Sequence, residues 1–523
     1  MPLARLSQLH VGKIDGKYEY IETSEDSRRF FDSFLIPHAV NVDELLSGER
    51  FLVRGFRGTG KTSLLRWLAK KVRDSGASGQ FVLFKSDVSE TKRIEISKQA
   101  GIKWAEIEPD KIEVSQDFKE AWVWFLHRKI GEIATENEGV ARQSADLKTY
   151  QKLLGLIERP WFDRVIGEFP KIESARVRIK GNLEFVEAEF AGELSSGSSK
   201  GLSFSSLLKR LDTLLSRIKF IVPIYIYLDE LEVFYHTDEQ YKRDLRMVRD
   251  LIFATDHLVS IVRNHKLPIK LCVAIRSEVL DALGSKGQEV SRIAHDCGVE
   301  IAWHFGKRGL DHPLFDMIRR KIWASEVKHG ITMTPDPIQY YFPTSVEGLP
   351  LDVFILDQSF YKPRDIVWRL SVAKEQFPDK TSFDSVVLSK TDIHYSSRLW
   401  EEVTYELNAM YTVDEISVIE SLFSGQHSFF NVEDIADRLR LQSSLSPAAD
   451  QLMRRRGIRV ILHDLYRLGA IGNTIKAGQL RRHRWVFRGE PKLLENERME
   501  LHPALCKKLS AVYRRKRSAE RIG

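Results

Sequence analysis

The chain has 523 residues, 43% of them hydrophobic and 29% charged, with a formal net charge of +7. Those values exclude a disordered or fibrous chain and predict a soluble globular protein of roughly two to four domains. Its longest apolar run, Phe220 to Leu228, falls far short of the ~20 residues a membrane helix needs, and Cys272, Cys297 and Cys506 have neither metal-ligand nor redox spacing, so a reduced cytoplasm and no membrane are expected.

Residues 1–45 are mixed polar sequence with one aromatic cluster, Phe30 to Pro37, which either packs ordinarily or closes one side of a ligand site. The N-terminus lacks the apolar core of a signal peptide. Phe51-Leu52-Val53 reads as a short buried strand. It leads into Gly55-Phe56-Arg57-Gly58-Thr59-Gly60-Lys61-Thr62, which fits G-x-x-x-x-G-K-[ST] at every defined position, and Ser63 then opens a helix. That strand-loop-helix context predicts a phosphate cradle. Gly55, Gly58 and Gly60 let backbone amides curl round a polyphosphate, with Arg57, Thr59 and Ser63 beside them. Lys61 reaches the terminal phosphates and the Thr62 hydroxyl ligates Mg²⁺.

Gln80 to Phe84 is the expected second strand, which makes strand, helix, strand the start of a parallel α/β sheet. An insertion is expected over 88–207. Helical spacing covers Asp117 to Ala134 and Val140 to Val165, and a period-two stretch then predicts a hairpin around Lys180-Gly181-Asn182, followed by a Ser/Gly connector.

Ile221 to Glu230 is an apolar strand ending in two carboxylates, and strand ends of a parallel sheet are where ligands bind. Asp229 is placed to hold the Mg²⁺ shell and Glu230 to polarise an attacking water; a helix N-cap is the alternative for such a pair. Asp238 to Asn264 reads as a helix and Pro268 to Ser277 as another apolar strand, at whose polar end Arg276 or Ser277 would sense a γ-phosphate or else pair with a neighbouring acid. From 306 to 399 the pattern is helical. Arg364 follows Pro363 at a helix start, from which it would swing over a nucleotide, or remain a surface arginine beside a capping Asp365.

The last part is strongly basic. From residue 451 onward 19 Lys/Arg stand against 6 Asp/Glu, a net +13, whereas residues 1–450 carry −6. Helices at Val413–Phe423, Asn431–Leu439 and Arg455–Leu468, then strands at Ile475–Gln479 and Arg484–Gly489, predict a winged helix over 400–490 with a basic tail at 491–523. Arg455 and Arg459 on its third helix, and Arg481, Arg482, Arg484 and Arg488 on its wing, are positioned for the phosphates of DNA or RNA. Winged helices also dock proteins, and that alternative stays open. The tail Tyr513 to Arg517 would add non-specific affinity.

The order of motifs resembles the AAA+ and STAND branches of the P-loop ATPases, and within them the origin-recognition-type ATPases that join a helical lid to a C-terminal winged helix. The Gly55-Phe56-Arg57-Gly58 loop and the Arg276-Ser277 pair are also similar to those of a bacterial P-loop group with relatives in anti-phage defence loci. The resemblance implies a P-loop core over 46–305 and a lid over 306–399. It also implies ATP and Mg²⁺ as cofactors, hydrolysis with Glu230 as base, Arg276 or Ser277 as first sensor and Arg364 as second. It further implies assembly of like subunits on ATP binding. The long insertion, the absence of a clear arginine-finger motif and the arginine at the sensor strand end depart from a replication initiator. The expected function is an ATP-hydrolysing switch that binds nucleic acid. The alternatives are a STAND-type assembly hub whose winged helix holds an effector protein, and a regulator with a merely structural nucleotide.

Overall fold

A computed structural model describes residues 3–19, 25–84, 118–157, 172–173, 176–177, 204–231, 238–284, 288–305, 308–408, 410–477 and 480–512. They divide into two compact units. One comprises Ala39–Gly55 and Leu64–Glu300, the other Met1–His38, Phe56–Ser63 and Ile301–Gly523. Among the described residues no helix is long and apolar enough to cross a membrane.

The first unit is α/β. Its sheet contains β1 (Leu52–Gly55), β2 (Ser78–Leu83), β3 (Ile224–Leu231), β4 (Ile269–Arg276) and β5 (Gly298–Glu300), in the order β2-β3-β4-β1-β5, with every ladder parallel. A parallel sheet is covered on both faces, which explains why Leu271, Cys272, Val273, Ala274 and Ile275 are buried in succession. Helix α1 (Lys61–Asp74) buries Leu64, Leu65, Leu68, Ala69 and Val72, one stripe at helical spacing. Two inserted helices, α2 (Lys119–Glu136) and α3 (Phe204–Arg217), join α4 (Asp238–Asn264) in the same core. Seven consecutive residues of α2, Ala121 to His127, are buried, so that part of the helix is enclosed on all sides.

The hairpin expected around Gly181 lies outside the described residues. A short antiparallel ladder is present just before it, Ile172–Glu173 against Arg176–Val177. Of the helix expected over Val140 to Val165, residues 140–144 are not helical, Ala141 bridging to Phe220; the helix runs Ala145–Leu153, capped by Ser144, and 158–165 lie outside the described residues.

In the second unit the N-terminal segment is tied to α5 (Pro313–Lys328). The Lys321 ammonium meets Glu19 at 2.8 Å, and the His10 amide donates to Ser325 Oγ at 2.8 Å. The aromatic cluster packs ordinarily: Phe30 is buried and its helix, Glu25–Ser33, lies on α5. Next come α6 (Pro363–Gln376) and α7 (Ser385–Leu407), which pack together. The boundary expected near Trp400 therefore falls inside one continuous helix.

The C-terminal part has four helices where three were expected. They are α8 (Val413–Phe423), α9 (Val432–Ser443), α10 (Pro447–Arg455) and α11 (Gly457–Arg467). The expected third helix begins at Gly457 instead of Arg455, because Gly457 adopts φ +71° and breaks the chain from α10. Arg455 therefore belongs to the preceding helix. Four antiparallel strands follow the order β6-β9-β7-β8, with β6 (Phe429–Phe430), β7 (Ile471–Ala477), β8 (Leu480–Arg484) and β9 (Arg498–Leu501). Folded structure thus continues past residue 490. The basic run 513–517 lies outside the described residues.

Candidate functional site

Strand β1 ends at Gly55, and the loop that follows turns sharply at two glycines. Gly58 has φ +83° and Gly60 φ +96°, conformations that L side chains rarely adopt. A methyl group on Gly60 would meet nothing within 4 Å, so that side of the loop is open. The loop is braced by Thr59 Oγ1, which donates to the Phe56 carbonyl at 2.8 Å, and by the Trp303 indole, which donates to the Thr59 carbonyl at 2.9 Å. Lys61 Nζ rests on the Phe56 carbonyl at 3.0 Å, at the first residue of α1. Thr62 and Ser63 complete the first helical turn. A Cβ on Gly16 would lie 2.6 Å from Ser63 Oγ, so the N-terminal segment approaches the loop at Gly16.

Asp229 and Glu230 do not end their strand. Leu228 pairs with Val273 and Leu231 with Ile275, so two residues of β3 oppose the single Ala274 of β4. This is a β-bulge, and bulges re-aim side chains beside functional sites. Within it Asp229 is 2% exposed and Glu230 takes φ +58°. Strand β4 lies between β3 and β1, and its last residue, Arg276, is the ladder partner of Gly55. Ser277 is buried at the start of the next helix.

Arg364 is not a surface arginine. Its backbone N–H points to the Gly58 carbonyl at 3.4 Å, and its side chain covers Gly58, whose Cβ would stand 3.1 Å from that of Arg364. Its guanidinium donates to Ile14 O at 3.1 Å and to Glu402 Oε1 at 2.7 Å. Asp365 next to it is buried and accepts from the Phe360 amide at 2.8 Å; burial pushes its carboxyl up to about 6. The loop arginine Arg57 is held by the same helix, with Glu406 Oε1 at 2.5 Å, Glu402 Oε1 at 3.5 Å and the Tyr405 ring centroid at 4.8 Å. Glu402, Tyr405 and Glu406 carried no motif. A signal was present nonetheless: two glutamates four apart on one helix face repel each other unless cations answer them.

The basic side chains of the C-terminal part mostly have partners within it. Arg455 is doubly bonded to Glu415, at 3.0 and 2.5 Å. Arg484 Nε lies 3.3 Å from Glu490, and Arg488 stacks on Tyr361, its carbon 5.0 Å from the ring centroid. Arg459 with Glu495 at 2.7 Å and Arg482 with Glu490 at 2.8 Å are exposed pairs, which are weak and easily exchanged. Arg481 faces Lys476 across the β7–β8 ladder, and its side chain lies outside the described residues.

No protein-family model and no curated protein matches the chain. Among solved structures, the Orc1 protein of Aeropyrum pernix in complex with DNA is similar over 91% of this chain and 93% of that one, at 14% identity and a TM-score of 0.36. A likeness of that degree carries no argument. The class rests on the chain's own parallel sheet and ladder order: α/β, with a glycine-rich loop leaving one strand and a carboxylate bulge two strands away.

Proposed function

We propose that the chain is a P-loop ATPase that works as a nucleotide-dependent switch and meets nucleic acid through its C-terminal part, a winged-helix-like module. The observation that carries this is the order of strands. The loop strand β1, the strand ending in Arg276 and the strand bearing Asp229 and Glu230 are successive neighbours, with Gly55 and Arg276 paired. The residues fit the nucleotide: the open side of Gly60 leaves room for phosphate oxygens, and Lys61 sits at a helix N-terminus where anions are favoured. Thr62 and Asp229 would hold Mg²⁺, a hard cation that commonly takes few protein oxygens and completes its shell with phosphates and water. When bound it would neutralise phosphate charge. Glu230 would take the proton of the attacking water, and Arg276 and Arg364 would answer the charge that develops. ATP-driven assembly of like subunits belongs to the same reading, as do roles in DNA transactions or defence.

The test is ATP binding and turnover by the intact protein. Lys61→Ala should abolish binding, because amides alone do not offset the phosphate charge. Unchanged affinity in a folded Lys61→Ala protein would sink the reading. A second reading, an assembly hub of STAND type with a protein partner, is favoured by one observation: Arg455, Arg484 and Arg488 are engaged by Glu415, Glu490 and Tyr361. Nucleic-acid binding measured at low salt separates the two.

A further inference from the structure

We propose that Glu402 and Glu406 are a built-in competitor of nucleotide phosphate: they occupy Arg57 and Arg364 in the free protein and release them when a polyphosphate enters the loop. The proposal rests on the nucleotide reading of the loop and names the regulation of that site.

The four charges form a compact cluster. Arg57 bonds Glu406 and approaches Glu402, while Arg364 bonds Glu402. Each of the four side chains is between 19% and 27% exposed, so solvent screens the cluster only in part. Burial by itself would raise the Glu402 carboxyl, yet Arg364, Arg57 and Lys362 outweigh it and hold Glu402 below its ordinary value. Two arginines and two glutamates sum to zero beside a loop shaped for a polyanion. A triphosphate placed there faces two fixed negative charges, and it offers the guanidinium groups a denser acceptor than the carboxylates do. Binding must therefore draw the arginines away from α7.

Release matters because α7 is joined to the C-terminal module. The Trp400 indole donates to Glu420 of α8 at 2.7 Å, and the Tyr411 hydroxyl donates to Asp464 of α11 at 2.6 Å. Arg455, besides Glu415, also bonds the Met410 carbonyl at 3.2 Å. Whatever frees residues 402–406 acts on a helix already fastened to that module.

The experiment compares wild type, Glu402→Gln/Glu406→Gln and Arg57→Ala, all full length. It measures ATP affinity and the hydrogen exchange of residues 399–407 with and without ATP. Glutamine keeps the shape and removes the charge. The double variant should bind ATP on the order of tenfold more tightly. Its 399–407 segment should exchange faster than in wild type and no longer respond to ATP. Arg57→Ala should exchange faster there without any gain in affinity. Wild type should exchange faster on adding ATP. Unchanged or weaker affinity in a folded double variant overturns the proposal, and so does ATP-insensitive exchange in wild type that binds ATP. Should the double variant not fold, the affinity of Glu406→Gln and the wild-type exchange decide the matter in the same way. If wild type binds no ATP at all, the nucleotide reading itself falls, and this proposal falls with it.

Discussion

At φ +58° Glu230 holds a left-handed conformation that costs an L-residue roughly 1–2 kcal/mol. Cost of this kind gathers where function needs it. Glu230→Gly should therefore raise stability by up to about 1 kcal/mol, read as a higher urea midpoint, while slowing ATP turnover at least as much as loss of the carboxylate alone. Glu230→Gln should keep ATP binding and slow hydrolysis by about 10²–10⁴; turnover within twofold of wild type would make Glu230 a structural residue. Glu19 illustrates a different balance. Burial alone would raise its carboxyl, but the Lys321 ammonium and His10 outweigh that and bring it down to about 2. Because its folded pKa lies below the unfolded one, the stabilisation is complete above about pH 4.5 and is lost as pH falls toward 2, on the order of 3 kcal/mol in all. Glu19→Gln should remove that part of the acid-induced loss, measured as urea midpoints at pH 7 and pH 3.

Elements were legible in proportion to how locally their cause is written. Strands β3 and β4 are contiguous apolar runs because a parallel sheet buries both faces, and the sequence located them closely, though not the bulge. A bulge is a mismatch with a partner strand, and no single strand displays it. The break between α10 and α11 had a local sign, one glycine in a helical pattern, yet the arginines on both sides kept the helical rhythm and concealed it. Strands β6 and β9 were missed because two and four residues pair across some seventy positions of chain. At the site, the turns of the loop at Gly58 and Gly60 were legible from its glycines, whereas the ties from Arg57 and Arg364 to α7 were not, since more than three hundred residues separate Arg57 from Glu406. The arginines of the module yield a prediction at this scale. Glu490 draws on both Arg482 and Arg484. Glu490→Gln in the intact protein should strengthen duplex DNA binding and steepen the slope of log K against log salt by about 0.9 for each further phosphate the freed arginines reach. Unaltered binding would mean that these arginines do not reach phosphate.

For the whole molecule, the division into units is informative because it cuts across chain order. The eight residues Phe56–Ser63 are grouped with Ile301–Gly523 while the strand that delivers them is not. The N-terminal residues belong with that same group through Glu19 and Lys321. The loop after β1 is thus braced by residues on both its far sequence sides, Gly16 before it and Trp303, Arg364 and Glu406 after it. Helix α7 gives that bracing a mechanical meaning. Its 23 residues make a rod about 35 Å long, and Glu402 lies about 26 Å from its first residue. If the rod pivots near Ser385, a shift of about 3 Å at Glu402 is a tilt of only ~7°, and the end that leads into α8 swings through a slightly longer arc. A lever of those proportions turns the exchange of one acceptor for another at Arg57 into a displacement as large as a hydrogen bond at the root of the C-terminal module.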